Sequence, residues 1–375
     1  MRIAILGATG VIGGMTLEVC RMLGSSCRVV GISCGNQVGK LRDLASEFGV
    51  EWVMCGDGSY GHDVTWGSGI CCLRCEEELV EAVSGDGVDV LVCAVSGTSG
   101  FRPVIGALRA GKRVALASKE ILVLAGEAVM SAARGGGGEL LPVDSEHCAL
   151  FQCLDGQRPE DVSRLILTAS GGPFRNRPRS EFGSITAAET LAHPVWRMGA
   201  KITVDSATMM NKALEVIEAK WLFGVAEDQI DVVVHPQAIV HSMVEFKDNG
   251  LLAQLACPDM RLPIQYCLTY PKRIPGLCPK MDFSKLLKLT FEAPDTDKFP
   301  ALRLAHEVLR KGGAMGAVFN AADQVAVDQF LKGKISFPEI SELVETTLER
   351  YSRYKDEHSL EGALQVHQEI LETLS

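Results

Sequence analysis

A chain of 375 residues exceeds what one ordinary hydrophobic core organises, so two or three domains are expected; 47% hydrophobic against 22% charged residues marks a folded protein, not a disordered one. The formal net charge of -10, with no Lys/Arg-rich run, opposes phosphate backbones and anionic lipid, which argues against nucleic acid or a membrane as partner. The 13 cysteines are odd in number, sit mostly in apolar runs such as DVLVCAVSG and lack a CxxC…CxxC spacing, so they read as buried thiols of a reducing, cytoplasmic compartment.

The opening MRIAILGATG holds an apolar run only a strand long, too short for a signal peptide core or a membrane span. RIAIL (2–6) predicts a strand, and GATGVIGGMTLEVCRML after it a helix with Leu17, Cys20, Met22 and Leu23 on one side. RVVGIS (28–33) predicts the second strand and KLRDLASEFG the second helix, closed by Gly49. Cys71, Cys72 and Cys75 follow, but no fourth ligand for a metal is apparent. DVLVCAV (89–95), RPVIGALRAG and RVALAS (113–118) repeat the strand and helix alternation. Such alternation implies an α/β fold with an N-terminal Rossmann-like, doubly wound parallel sheet, placed at residues 1–143.

Beyond residue 140 the texture changes. RLILTAS, DVVVHP and IVHSMVEF predict strands, and DNG at 248–250 before LLAQLA is a hairpin signal. A central α+β domain is therefore expected over 144–280, for catalysis and dimerisation. The proline-rich YPKRIPGLCPKMDF leads into a linker at 281–299, and four helical patterns fill a C-terminal domain at 300–375.

Three places carry chemistry. Gly7, Gly10 and Gly13 in GATGVIG have GxxGxxG spacing directly after a strand and at the opening of a helix, where bare backbone and free N–H groups suit a pyrophosphate. The acidic residue that would hold a ribose 2′-hydroxyl is absent after the second strand, where VVGISCGNQVGK offers Gly35, Asn36 and Lys40, and this favours NADP over NAD. VDSEH (143–147) reads either as a helix start capped by Asp144 or Ser145, or as carboxylates of a site. In KITVDSATMMNKALEVIEAKWLFG, a helix is expected to start at Asp205 or Ser206, and Asn211 and Glu215 four apart share a face beside Lys212. A plain amphipathic helix would leave Lys212 and Glu215 in solvent; a charged ligand would gather them. Asp144, Glu146 and Glu215 together would make an all-oxygen site suited to Mg²⁺ or Mn²⁺. ASGGPF after Leu167 and Thr168 is either a plain turn or a phosphate loop. His193 and Trp196 fall in a loop that is structural or a lid, and Lys119 follows a strand end as a solvated charge or a site residue.

With these stretches assembled, the sequence resembles the 1-deoxy-D-xylulose 5-phosphate reductoisomerase family over nearly its whole length. The resemblance rests on GATGVIG, LASKE, LPVDSEHCALFQ, ASGGPF, HPVWRMGAKITVDSATMMNKALEVIEAKWLF and VVHPQAIVHSMVEF, in that order. It implies an NADPH-dependent enzyme of isoprenoid biosynthesis by the non-mevalonate route, a homodimer, which converts 1-deoxy-D-xylulose 5-phosphate to 2-C-methyl-D-erythritol 4-phosphate with Mg²⁺ or Mn²⁺, or Co²⁺. The skeleton rearranges to an aldehyde, which NADPH reduces. It further implies that Asp144, Glu146 and Glu215 are metal ligands and that Ser145 and Lys119 meet the reacting end of the substrate. Ser170, Ser206, Asn211 and Lys212 match the phosphate contacts, joined by His193 from the loop, with Trp196 covering the site. Thr9, Gly10, Val11, Ile12, Ser118, Glu120 and Gly199 match cofactor positions, with Gly35 and Asn36 beside the adenosine phosphate.

The chain departs from the family pattern at several points. Val11 stands where many members have serine, Ser118 and Cys148 where asparagine is usual, and Gly35 where a basic residue is often found. None of these positions is among the expected metal or phosphate contacts.

Overall fold

The expected alternation of strands and helices builds a wholly parallel sheet. The computed structural model describes residues 1–56, 64–192, 199–285, 288–352 and 360–374. It divides into two units, the first made of Met1–Ile121, Glu127–Cys148 and Asp259–Pro279, the second of Leu122–Gly126, Ala149–Pro258 and Lys280–Ser375.

The sheet of the first unit has seven strands: β1 (Arg2–Leu6), β2 (Arg28–Cys34), β3 (Trp52–Cys55), β4 (Cys71–Leu73), β5 (Val90–Cys93), β6 (Arg113–Leu116) and β7 (Glu139–Pro142). Their order is β4-β3-β2-β1-β5-β6-β7, with every neighbouring pair parallel. Ile3, Ile5, Leu91, Val92, Val114 and Leu116 are buried without alternation, as a sheet covered on both faces requires. The crossovers are helices α1 (Val11–Leu23), α2 (Val38–Phe48), α3 (Glu76–Ser84), α4 (Phe101–Arg109) and α5 (Glu120–Gly136), and α6 (Ser145–Leu154) follows β7. α10 (Arg261–Thr269) packs here against α1, β6 and β7, and Arg113 at the start of β6 donates to the Tyr270 carbonyl at 2.9 Å. The strand order reverses direction between β1 and β5, so the carboxyl ends of those strands form the switch point at which ligands of open α/β sheets bind.

The second unit contains a four-stranded sheet of β8 (Val162–Ala169), β9 (Ile230–Val234), β10 (Val240–Phe246) and β11 (Leu251–Leu255), in the order β11-β10-β8-β9. β10 runs antiparallel to β8 and β11, and β8 pairs parallel with β9. The DNG signal is the β10–β11 turn, with Asn249 in the left-handed region at φ 65°. Its helices are α7 (Ala187–Thr190), α8 (Ala200–Thr208), α9 (Met210–Phe223), α11 (Ala301–Lys311), α12 (Met315–Leu331), α13 (Phe337–Arg350) and α14 (Leu360–Leu374). α12 is apolar nearly all round and buried along its length, and α11, α13 and α14 pack against it. Among the described residues no helix is long and apolar enough to cross a membrane.

The helix expected to start at Asp205 or Ser206 starts earlier. Both residues lie inside α8, and the break comes at Met209, whose φ of 65° separates α8 from α9. Neither glycine nor proline marks that break in the sequence; Thr208 Oγ1 accepts the Met210 N–H at 3.4 Å and so takes over a backbone donor that the break exposes.

Candidate active site

In the first unit the glycine turn is shaped by contacts that only glycine tolerates. Gly7 has φ 81°, and a Cβ on it would meet the Ala94 carbonyl oxygen, just past β5, at 2.4 Å. A Cβ on Gly13 would lie 2.2 Å from the Gly7 carbonyl oxygen, so α1 packs directly on the turn. Ser33 at the end of β2 fixes the turn from the other side: its Oγ accepts the Gly7 N–H at 3.1 Å and its carbonyl accepts the Ala8 N–H at 2.8 Å. Thr9, Gly10, Val11 and Ile12 thus occupy the turn and the first residues of α1, and Gly10 caps the helix without a side chain. The bare backbone at a helix start, set at the switch point, fits the pyrophosphate of a dinucleotide. Gly35 and Asn36 are exposed just beyond β2. Ser118 lies beyond the end of β6, buried, and donates from Oγ to the Val95 carbonyl at 2.5 Å; Glu120 opens α5.

Two strands along, the ends of β6 and β7 bring Lys119 and Asp144 together. Lys119 Nζ lies 2.5 Å from Asp144 Oδ2, with both side chains buried. His147 Nδ1 stands 3.7 Å from Asp144 Oδ1. Burial pushes the Asp144 carboxyl up, but the Lys119 ammonium and His147 outweigh it and hold it well below the usual carboxylate range. Asp144 therefore stays ionised in a nearly dry place. Its Oδ1 accepts the Glu146 N–H at 3.3 Å, so Asp144 caps α6 as well as facing Lys119, and Ser145 Oγ donates to Glu146 Oε2 at 2.5 Å. The helix-cap reading of VDSEH holds, and Asp144 and Glu146 stand together at the start of α6. From the sequence His147 is only a first-turn residue; its nearness to Asp144 follows from the i, i+3 spacing at a helix start.

In the second unit, Asn211, Lys212 and Glu215 of α9 bond to one another. Asn211 Nδ2 donates to Glu215 Oε1 at 2.6 Å, and Lys212 pairs with Glu215 Oε2. Lys212 is 3% and Glu215 1% exposed, which excludes the reading of a solvated amphipathic face. Ser170 directly follows β8, and its Oγ accepts the Gly172 N–H at 3.3 Å. Gly172, at φ 68°, lies so close to α8 that a Cβ would meet the Ser206 carbonyl oxygen at 2.7 Å. The SGG loop and Ser206 are thus adjacent, and Gly171 and Gly172 both lie in the left-handed region, which glycine enters without steric cost. Gly199 caps the start of α8. His193 and Trp196 lie outside the described residues.

A glycine turn at the switch point and an ionised acid beside a lysine at neighbouring strand ends are what the dinucleotide-dependent α/β oxidoreductases present to cofactor and substrate. Comparison with known proteins narrows this class. The family model described as 1-deoxy-D-xylulose 5-phosphate reductoisomerase matches residues 3–126, and two models of C-terminal domains of the same enzyme match 140–223 and 255–373. The protein of that name from Chloroherpeton thalassium is 50% identical over 353 residues, 93% of this chain and 91% of its own length. That from Thermoanaerobacter pseudethanolicus is 45% identical over 378 residues, 100% of this chain and 98% of its own. Among solved structures, a DOX-P reductoisomerase in complex with NADPH, fosmidomycin and magnesium superposes with a TM-score of 0.93 at 37% identity, covering 99% of this chain and 97% of the other. The enzyme from Zymomonas mobilis in complex with NADPH gives 0.91 at 40% identity, with the same coverage. This chain belongs to the 1-deoxy-D-xylulose 5-phosphate reductoisomerase family.

Proposed function

We propose that this protein catalyses the NADPH-dependent rearrangement and reduction of 1-deoxy-D-xylulose 5-phosphate to 2-C-methyl-D-erythritol 4-phosphate, with a divalent metal, in non-mevalonate isoprenoid biosynthesis. The observation that carries the reading is the buried, ionised Asp144 beside Lys119, two strands along from the glycine turn of the same sheet. When bound, NADPH supplies the hydride and Mg²⁺ the Lewis acidity; the oxygen donors of Asp144, Glu146 and Glu215 are hard ligands of the kind Mg²⁺, Mn²⁺ and Co²⁺ accept.

The chain's own residues take the following roles in this reading. Lys119 and Ser145 hold the reacting end of the substrate, and Lys119 keeps Asp144 in its charged form before the metal arrives. Ser170, Ser206, Asn211 and Lys212 hold the phosphate, which the SGG loop suits because its backbone is bare. His193 joins these phosphate contacts and Trp196 covers the site. Thr9, Gly10, Val11 and Ile12 bind the pyrophosphate, Ser118, Glu120 and Gly199 the nicotinamide side, and Gly35 and Asn36 the adenosine side.

In this reading residues 1–143 form the cofactor domain, 144–280 the catalytic and dimerisation domain, from which Asp259–Pro279 returns to the first unit, 281–299 a linker and 300–375 a helical domain. A homodimer is supported by β11, an edge strand of the second unit's sheet on which Leu251, Leu252 and Leu255 are exposed. A cytoplasmic location is supported by the free cysteines, six of them buried in the first unit's core or at its margins. The test is the loss of NADPH absorbance on adding 1-deoxy-D-xylulose 5-phosphate. Stoichiometric oxidation with formation of the methylerythritol phosphate is expected; NADPH binding without turnover would leave a cofactor-sensing protein as the better reading.

A further inference from the structure

Preference for NADPH over NADH needs a cation near the ribose 2′-position, and the turn after β2 supplies none: Gly35, Asn36 and Gln37 are neutral. A Cβ placed on Gly35 would meet nothing within 4 Å, so that corner is open and its glycine answers no packing demand. A cation stands one turn further on. Lys40, in the first turn of α2, reaches back to the glycine turn, where its Nζ donates to the Thr9 carbonyl at 2.7 Å. That carbonyl takes one of the three N–H donors of the ammonium. Among the described residues Lys40 is paired with no carboxylate, although Asp43 lies three positions along the same helix. An ammonium is thereby held in place, uncompensated, between the turn that takes the pyrophosphate and the strand end that takes the adenosine ribose.

We propose that Lys40 is the residue that recognises the 2′-phosphate in this chain and sets its preference for NADPH. The Thr9 bond fixes the direction of an otherwise flexible stem, so the charge is pre-placed for an anion and little side-chain entropy is lost on binding. The inference rests on the NADPH reading above and concerns only which residue discriminates the phosphate. NADH carries hydroxyl in place of that phosphate and gains nothing from the ammonium beyond what any nucleotide gains.

The experiment is equilibrium binding by calorimetry to the full-length protein, with NADPH, NADH, 2′,5′-ADP and 5′-AMP as probes. For Lys40→Met we expect NADPH and 2′,5′-ADP to weaken by about 10- to 100-fold, NADH and 5′-AMP by no more than about twofold, and Lys40→Arg to restore most of the loss. An equal loss for all four probes would assign Lys40 to the pyrophosphate or to the turn itself and overturn the proposal. So would unchanged NADPH affinity. A wild-type protein that binds none of the four defeats the NADPH reading itself, a different outcome from either.

Discussion

Lys119 Nζ and Asp144 Oδ2 stand 2.5 Å apart just beyond the ends of neighbouring parallel strands, each side chain 7% exposed. Removing one member of such a pair leaves the other charged and buried, at a cost of about 3–5 kcal/mol. Lys119→Met should therefore lower the thermal midpoint as well as abolish turnover. A divalent cation at Asp144 would replace the missing positive charge, so Mg²⁺ should raise the midpoint of Lys119→Met more than that of the wild type. Scanning calorimetry with and without Mg²⁺ checks this, and equal shifts in the two proteins count against Asp144 as a metal ligand.

In the proposed reading the Lys212–Glu215 pair should separate binding from chemistry. Lys212→Ala should raise KM for the sugar phosphate by at least about tenfold, and Glu215→Gln should act mainly on kcat, by about 100-fold. Since both side chains are buried, each single change also destabilises the second unit. The double variant Lys212→Met, Glu215→Gln has no buried charge left unpaired at this position. It should recover much of the unfolding free energy while remaining inactive. If the double variant is as unstable as the sum of the singles, the two residues do not act as a pair.

The first sheet was legible because its central strands are continuous apolar runs, each ending in glycine or a helix cap. β3 and β4 were not, since WVMC and CCL are three or four residues long and fall below any useful window. The glycine turn could be read from spacing, but not that Ser33 would bind Gly7, which needs the register of β1 against β2. Burial of Lys212 and Glu215 was likewise illegible: α9 carries polar residues on several faces, and only the surrounding helices decide which of them water reaches. The return of Asp259–Pro279 to the first unit depends on α10 meeting α1, more than 200 positions earlier, for which no local pattern exists.

Acid stability has a specific site. His367 of α14 lies buried against Asn320 of α12, at 3.0 Å between Nε2 and Nδ2, and burial lowers its pKa from 6.5 to about 4. The unfolded chain binds this proton below pH 6.5 while the folded chain refuses it until about pH 4, so the contribution is full above pH 6.5 and is lost as pH falls through that window. The loss at this one site is at most about 3 kcal/mol. His367→Gln keeps a hydrogen-bonding group for Asn320 but does not titrate. Urea unfolding of the two proteins at pH 7, 6, 5 and 4 should show a shallower decline for the variant, and parallel declines would place the acid sensitivity elsewhere.

Between α8 and α12, Lys201 Nζ bridges Asp205 at 2.7 Å and Asp323 at 2.5 Å, with the two carboxylates 2% and 0% exposed. One ammonium therefore serves two buried acids, and α8 carries Ser206 one position beyond Asp205. Lys201→Met would leave two like charges facing one another in a dry place and should destabilise the second unit more than Asp323→Asn does, since the latter keeps the Lys201–Asp205 pair. Ser206 is a proposed phosphate contact, so Asp323→Asn should raise KM by a few-fold through a looser α8, with kcat nearly unchanged. Steady-state kinetics and urea unfolding on both variants check the two halves of the argument. Metal chelation supplies the control: EDTA should abolish turnover in each protein and Mg²⁺ or Mn²⁺ restore it, while NADPH affinity, assigned in the proposed reading to the glycine turn of the first unit, stays within about twofold. A loss of NADPH affinity on chelation would show that cofactor and metal sites are not independent and would remove the basis for reading the Asp323→Asn effect as one on the phosphate alone.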